Sequence, residues 1–260
     1  MYVRMSLSFV DYHVHSNHSS DSNASLLEMC KRAIQLGIVE IGFAEHVDFD
    51  PQDWGYEYFH YEGYSSDIRK ARELFGDQLV VRKGIEVDYQ HWFEEDIREW
   101  LRDKEFDYVI GSVHYLDHRY ITETLISEKP LQEIYTLYFA EVKNSIDSGL
   151  FDMIGHLDLL RRYTCRRKDE LQRIDYWETI RTTLTKIIET ETYLEINSRG
   201  LRERCRETYP SKEVVNKYYE LGGRLISLGS DTHCIEEIGA GLKEIMKRLS
   251  GKRIALFQSL

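Results

Sequence analysis

The sequence predicts one parallel α/β domain across residues 1–260. Three observations lead there. Apolar, β-branched segments alternate seven times with longer segments of helical period. The strand-like segments are almost continuously apolar, as in a sheet buried on both faces. The connections are short, with only three prolines and no Pro/Gly/Ser-rich linker, low-complexity tract or internal repeat. A closed barrel and an open doubly wound sheet both fit this pattern.

The elements follow in order. "SFVDYH" (8–13) is the first strand, and 24–36 the first helix, with Leu26, Leu27, Cys30, Ala33 and Ile34 at three- and four-residue spacing. Gly37 sits where a helix C-cap is expected. "EIGFAEH" (40–46) is the second strand, followed by a long acidic and aromatic connection, 47–64, and a helix over 65–75. "LVVRKGIEV" (79–87), a helix over 93–103 and "DYVIGSVH" (107–114) come next. Pro130 starts a helix over 130–148, which leads to "DMIGHL" (152–157), a helix over 170–190 and "YLEIN" (193–197). Ser211 with Glu213 marks the start of a helix over 211–221, and Gly222 its end. "RLISLGSD" (224–231) and a helix over 235–249 complete the alternation.

The bulk composition narrows the function. Apolar content of 42% with 12% aromatics is enough for a sizeable core. A net charge of -11 disfavours a non-specific nucleic-acid binder. No run of about 18 apolar residues predicts a membrane helix, and the N-terminus has too short an apolar stretch for a secretory signal. Cys30, Cys165, Cys205 and Cys234 are scattered without a CxxC pair. They are expected to be reduced thiols of a cytoplasmic protein, neither a disulfide framework nor a thiolate zinc site.

The polar residues repeat one placement. His13 and His15 close the first strand, His46 the second, His114 the fourth and His156 the fifth; Glu86 lies near the end of the third, and Asp231 with His233 closes the seventh. Parallel strands end at one rim, where α/β barrels build their active sites. Residues two apart on a strand point to the same side, so His13 and His15 reach one ion together. A lone strand-end histidine is usually a packing residue; six on one rim are not easily accidental. Asp21 fits either a helix cap or a ligand folded back over the rim. His18, His60, His91 and His118 are expected to be solvated surface residues. Nine nitrogen and oxygen ligands suit zinc, manganese or iron, and with a bridging carboxylate suffice for two or three ions.

In order, "HVH" with Asp21, "AEH", "GIEVD", "GSVH", "GHLD" and "SDTH" resemble the polymerase-and-histidinol-phosphatase (PHP) family of metal-dependent phosphoesterases, from residue 11 to about 233. Within it the composite is most similar to the monofunctional histidinol-phosphatase branch. The resemblance implies a distorted (β/α)7 TIM-like barrel with its active site at the C-terminal rim of the strands. It implies an enzyme of histidine biosynthesis with histidinol phosphate as substrate and two to three divalent transition-metal ions (Zn, Mn or Fe) as cofactors. The implied ligands are His13, His15, Glu86 and Asp231 for the first ion; Glu86, His114 and His156 for the second; Asp21, His46 and His233 for the third. Glu86, Asp231 and His233 are expected to be catalytic as well.

The chemistry follows from charge. Three carboxylates bring about -3 against roughly +6 from three divalent ions, a surplus that suits a phosphate dianion. A metal-bridging water provides hydroxide at neutral pH while the ions clamp phosphate oxygens. Arginine is the natural fork for the remaining oxygens, and Arg161 and Arg199 follow strands five and six. For both, the plainer alternative is a surface charge. In the 47–64 connection, Trp54 and its aromatic neighbours sit above the rim, with Asp48, Asp50 and Asp53, and are expected to bind the amino-imidazole end of the substrate; the alternative is that they pack the loop onto the barrel. Rival functions are another PHP activity (a nucleotide or sugar phosphatase, or a 3′–5′ exonuclease), a catalytically dead metal-binding domain, and a metal-dependent C–N hydrolase. Acidic charge counts against the exonuclease and the intact ligand set against the dead domain. Neither nucleic acid nor membrane is an expected partner.

Overall fold

The computed structural model describes residues 8–171, 176–250, 252 and 254–257. Its strands are β1 (Val10–Val14), β2 (Glu40–Val47), β3 (Val80–Asp88), β4 (Tyr108–Ser112), β5 (Tyr115–Leu116), β6 (Arg119–Tyr120), β7 (Met153–Ile154), β8 (Tyr193–Asn197), β9 (Leu225–Gly229) and β10 (Ala255–Leu256). All seven expected strands are present. The additions are the short edge strand β10 and the β5–β6 hairpin, whose two-residue turn places Asp117 and His118 at φ 49° and 58°. β7 is shorter than the expected 152–157, because its ladder with β4 ends at Ile154, and His156 turns away at φ 20°.

The helices are α1 (Leu26–Leu36), α2 (Tyr61–Phe75), α3 (Glu94–Arg102), α4 (Glu123–Glu128), α5 (Leu131–Asp147), α6 (Arg161–Thr164), α7 (Lys168–Leu171), α8 (Tyr176–Glu189), α9 (Lys212–Glu220) and α10 (Leu242–Leu249). Gly37 caps α1 at φ 78°, and the Ser211 hydroxyl accepts from Val214 N at the start of α9. The expected helix 170–190 begins at Tyr176, with residues 172–175 of that range outside the described residues. The expected helix 235–249 is reduced to a 3-10 turn at Ile235–Glu237 and to α10. Gly239 and Gly241, at φ 67° and 79°, interrupt it.

Eight strands form one parallel sheet in the order β1-β2-β3-β4-β7-β8-β9-β10. The sheet is curled. Val14 bridges Thr232, Asp231 N donates to His13 O at 2.7 Å, and His15 N donates to Thr232 O at 2.9 Å, so the end of β1 meets the segment leaving β9. The buried Asp11 carboxylate reinforces this seam, accepting from Ser230 N (2.8 Å), Ser230 Oγ (2.6 Å) and Gly239 N (2.9 Å). One apolar cluster joins β2 and β3 to α1, α2 and α3; a second joins β4, β7, β8 and β9 to α5, α8, α9 and α10. Gly84 is required where Tyr108 crosses β3, since a Cβ there would lie 2.2 Å from the ring.

Two cysteines depart from the expectation of four reduced thiols. Cys165 and Cys205 form a disulfide, while Cys30 and Cys234 are free. The two are 40 residues apart in sequence, but the loops leaving the paired strands β7 and β8 lie side by side. Spacing along the chain carries no sign of that adjacency.

Candidate metal centre

The eight candidate ligands at strand ends and Asp21 converge in space. Their potential ligand atoms form three groups, each within 4.8 Å: His15, Asp21, His46 and His233; His13, His15 and Asp231; and Glu86, His114 and His156. Glu86 is the hub. Its Oε2 lies 3.2 Å from His13 Nε2, 3.6 Å from His15 Nε2 and 3.2 Å from His46 Nδ1. Its Oε1 lies 2.9 Å from His156 Nε2 and 3.8 Å from His114 Nε2. One carboxylate therefore presents an oxygen to each of two histidine sets. Asp21 approaches His233 (2.6 Å) and His46 (3.6 Å) on the remaining side. The pairing of β1 with β2 slips between Asp11 and Val14, a bulge of the kind that re-aims side chains beside functional sites.

A supporting set holds the rings. Glu195 Oε1 accepts from His13 Nδ1 at 2.6 Å, which leaves Nε2 facing inward with its lone pair. The Ser19 hydroxyl donates to Glu45 Oε2 at 2.6 Å, so its contact with His15 Nδ1 at 3.2 Å is donated by the ring, and Nε2 of His15 is again the free acceptor. Asp88 Oδ1 lies 3.3 Å from His114 Nδ1. The Nε2 atoms of His13 and His15 are buried with no hydrogen-bond partner, those of His114 and His156 face each other at 3.2 Å, and that of His233 meets Asp21 Oδ2 at 2.6 Å. Inward lone pairs without donors, among carboxylates, are what a divalent cation completes, so this donor set fits N/O-ligated metal. Glu195, Asp88, Glu45 and Ser19 were not foreseen. The one available signal was Asp88, two residues after Glu86 on the same strand, and hence on the same side.

The electrostatics agree. Burial pushes the Glu86 carboxyl upward, but the rings of His13 and His46 overcome it and hold the group well below its usual range. Burial likewise opposes ionisation of Asp231, and Arg199 and the histidines reverse it. His46 is raised to about 10 against its own burial by Glu86 and Asp21. His15 goes the other way, lowered by burial and by the stacked rings of His233 and His46, 4.2 and 4.4 Å away. Asp231 sits at φ 53°, an uncommon backbone state that a short polar side chain tolerates, with Asn197 (3.1 Å) and Arg199 (2.9 Å) on its carboxylate.

A cleft opens over this cluster, lined by Glu86, Asp231 and His233 together with Asp48, Asp53, Trp54, Arg162 and Arg199. Arg199 is where the sequence placed it. Arg161 is not: it does not line the cleft, and its guanidinium pairs with Glu207 and lies 3.9 Å from Asp158, while its neighbour Arg162 faces the cavity. The aromatic connection divides. Trp54 is at the cleft; Phe59 packs on Tyr64 and Trp100; Tyr64 is buried; Tyr61–Tyr64 belong to α2, not to the loop. Asp48 and Asp53 reach the cleft, whereas Asp50 is buried outside it. His60, His91 and His118 are exposed as expected, but His18 is half-buried and pairs with Asp67 at 3.0 Å.

Residues 11–199 match the PHP domain. The chain belongs to the PHP domain family. It is 30% identical over 244 residues to a probable histidinol-phosphatase of Clostridium acetobutylicum, covering 91% of both chains. It is 28% identical over 229 residues to a histidinol-phosphatase of Lactococcus lactis, covering 86% of this chain and 84% of that one. The solved structure of histidinol phosphate phosphatase from L. lactis, complexed with zinc, L-histidinol and phosphate, superposes with a TM-score of 0.81 over 96% of each chain at 23% identity, which establishes a shared fold.

Proposed function

We propose that this chain is a metal-dependent phosphomonoesterase that hydrolyses L-histidinol phosphate to L-histidinol and phosphate, a cytoplasmic step of histidine biosynthesis. We read the curled sheet as the family's distorted (β/α)7 barrel, and the whole chain as one catalytic domain. The observation that carries the reading is the convergence of three N/O ligand groups on Glu86 in a cleft also lined by two arginines.

In this reading two to three divalent ions (zinc, manganese or iron) are held by the residues as grouped in the sequence. His13, His15, Glu86 and Asp231 form one set; Glu86, His114 and His156 the next; Asp21, His46 and His233 the third. Bound there, such ions supply positive charge against phosphate oxygens and acidify water. The chain's own part is positioning. Glu86, Asp231 and His233 act at the reacting end, where all three line the cleft. Arg162 and Arg199 hold phosphate oxygens from the side, and Arg161 is left to tie the loop to Glu207. Trp54, with Asp48 and Asp53, offers an aromatic face and negative charge to the ammonium and imidazole of the substrate.

A panel of esters tests this: histidinol phosphate, nucleoside monophosphates, a plain aryl phosphate and single-stranded DNA, each with Mn²⁺ or Zn²⁺. Histidinol phosphate should show the highest kcat/KM, and chelation should abolish it. Preference for single-stranded DNA, or activity indifferent to chelation, would overturn the reading.

A further inference from the structure

We propose that Glu203 is a positioning residue that holds Arg162 and Arg199 as one anion-binding unit; this rests on the phosphomonoesterase reading above. The two arginines come from different segments, Arg162 from α6 after β7 and Arg199 from the 3-10 turn Arg199–Leu201 after β8. Two guanidinium groups lining one cleft repel each other, and each long side chain has several rotamers to lose. Glu203 answers both problems. Its Oε1 accepts from Arg199 Nε at 3.2 Å and its Oε2 from Arg162 Nε at 3.0 Å. Each guanidinium is gripped at Nε; Arg199 Nη1 is also held by Asp231 Oδ1 (2.9 Å) and His233 Nδ1 (3.0 Å), which among the described residues leaves Arg199 Nη2 and both terminal nitrogens of Arg162 for an anion. Among the described residues Nε is the one nitrogen of Arg162 held by a hydrogen bond.

The carboxylate is itself fixed. Tyr209 donates its hydroxyl to Glu203 Oε2 at 2.8 Å, and its ring lies 5.8 Å from the Arg162 guanidinium. Tyr209 is buried and pinned to Asn197 by two backbone hydrogen bonds of 2.8 and 2.9 Å. Gly200 lets it come close: a Cβ there would lie 2.9 Å from the Tyr209 ring and 2.1 Å from Glu207 O. The disulfide binds the same two loops a second time, since Cys165 directly follows α6 and Cys205 lies two residues past Glu203. Backbone, tyrosine and disulfide thus set where the carboxylate stands, and the carboxylate sets the spacing of the arginines.

Charge and positioning predict opposite signs. Glu203→Gln removes a negative charge beside both guanidiniums, and on charge alone it would tighten phosphate binding. On positioning it weakens binding, because an amide has one acceptor oxygen and its NH₂ cannot accept from the second arginine. The test uses the full-length, Mn²⁺-loaded protein with histidinol phosphate as substrate and inorganic phosphate as competitive inhibitor. Glu203→Gln should raise both KM and the inhibition constant about tenfold, the scale of one charge-assisted hydrogen bond, with kcat changed far less and metal content unchanged. In an Arg162→Ala background the same substitution should add little, as expected of coupled residues. Tyr209→Phe, which deletes only the anchoring hydroxyl, should move KM the same way by about threefold, a neutral hydrogen bond's share, and covers the case of a Glu203 variant that does not fold. Unchanged or tighter phosphate binding in a folded Glu203→Gln, or an unchanged KM in Tyr209→Phe, overturns the proposal. A wild-type protein that neither hydrolyses phosphate esters nor is inhibited by phosphate overturns the function along with it.

Discussion

Replacing Glu195 by Gln should weaken the hold on metal at His13 while leaving the chain folded. The carboxylate, on β8, links β1 to the segment leaving β7: Oε1 accepts from His13 Nδ1 at 2.6 Å, and Oε2 from His156 N at 2.7 Å and Asn197 Nδ2 at 3.2 Å. Glutamine has one acceptor oxygen. The backbone N–H of His156 cannot change its character, so the oxygen stays on that side and the NH₂ turns to His13 Nδ1. That nitrogen must then accept, which moves the ring hydrogen to Nε2, the atom 3.2 Å from Glu86. A protonated Nε2 cannot ligate. Loss of such an orienting partner typically weakens metal binding or activity by about 10- to 100-fold, or roughly 1.4–2.7 kcal/mol. Activity against buffered free Mn²⁺ or Zn²⁺ gives the half-saturation point, and melting of the metal-free protein reports the fold. Half-saturation should move to higher metal by that factor. A wild-type titration in a folded variant would refute the tautomer argument.

Elemental analysis of freshly purified, unchelated protein should show more than one transition-metal ion per chain; one or fewer, with no activation by added metal, contradicts the grouping around Glu86. Glu86→Gln should lose metal and turnover together with the circular dichroism spectrum intact, and unchanged turnover would remove Glu86 from the centre. Gly229→Ala should destabilise by about 1–3 kcal/mol, the usual range for overpacking, because its Cβ would sit 2.3 Å from Glu195 Oε1 and 2.4 Å from His13 Cβ; a wild-type denaturation midpoint would contradict this. Shortening the loop around Trp54 should raise KM for histidinol phosphate more than for a plain aryl phosphate, and equal losses would make that loop structural.

The strands were legible because a two-sided buried parallel strand is a run of apolar residues, and that run is visible in one dimension. β5 and β6 were not, since two-residue strands leave no periodicity and Asp117-His118 is not a usual hairpin pair. The interruption of the last helix could have been seen in Gly239 and Gly241. The convergence of His13, His46, Glu86, His114, His156 and Asp231 followed from one rule, that parallel strands end at a common rim. Glu195 and Glu45 escaped because a carboxylate inside a strand looks like any exposed alternate position until its neighbours are known. Arg161 and Arg162 show the limit most plainly: consecutive residues on a helical turn point about 100° apart, and sequence alone does not say which one faces the cleft.

The seam between β1 and the end of β9 has a consequence for how the chain acquires its site during synthesis. Asp11 is joined to Ser230 and Gly239, partners more than 200 residues away. The groups gathered around Glu86 run from His13 to His233. A nascent chain emerging from the ribosome completes the Glu86, His114 and His156 group by residue 156, but the other two groups each lack one ligand until Asp231 and His233 arrive near the end. Closing so long a loop is slow compared with local helix formation. The two incomplete groups of the early chain therefore meet metal as a loose, low-affinity set, and tight capture by the whole cluster waits for the segment leaving β9 to dock.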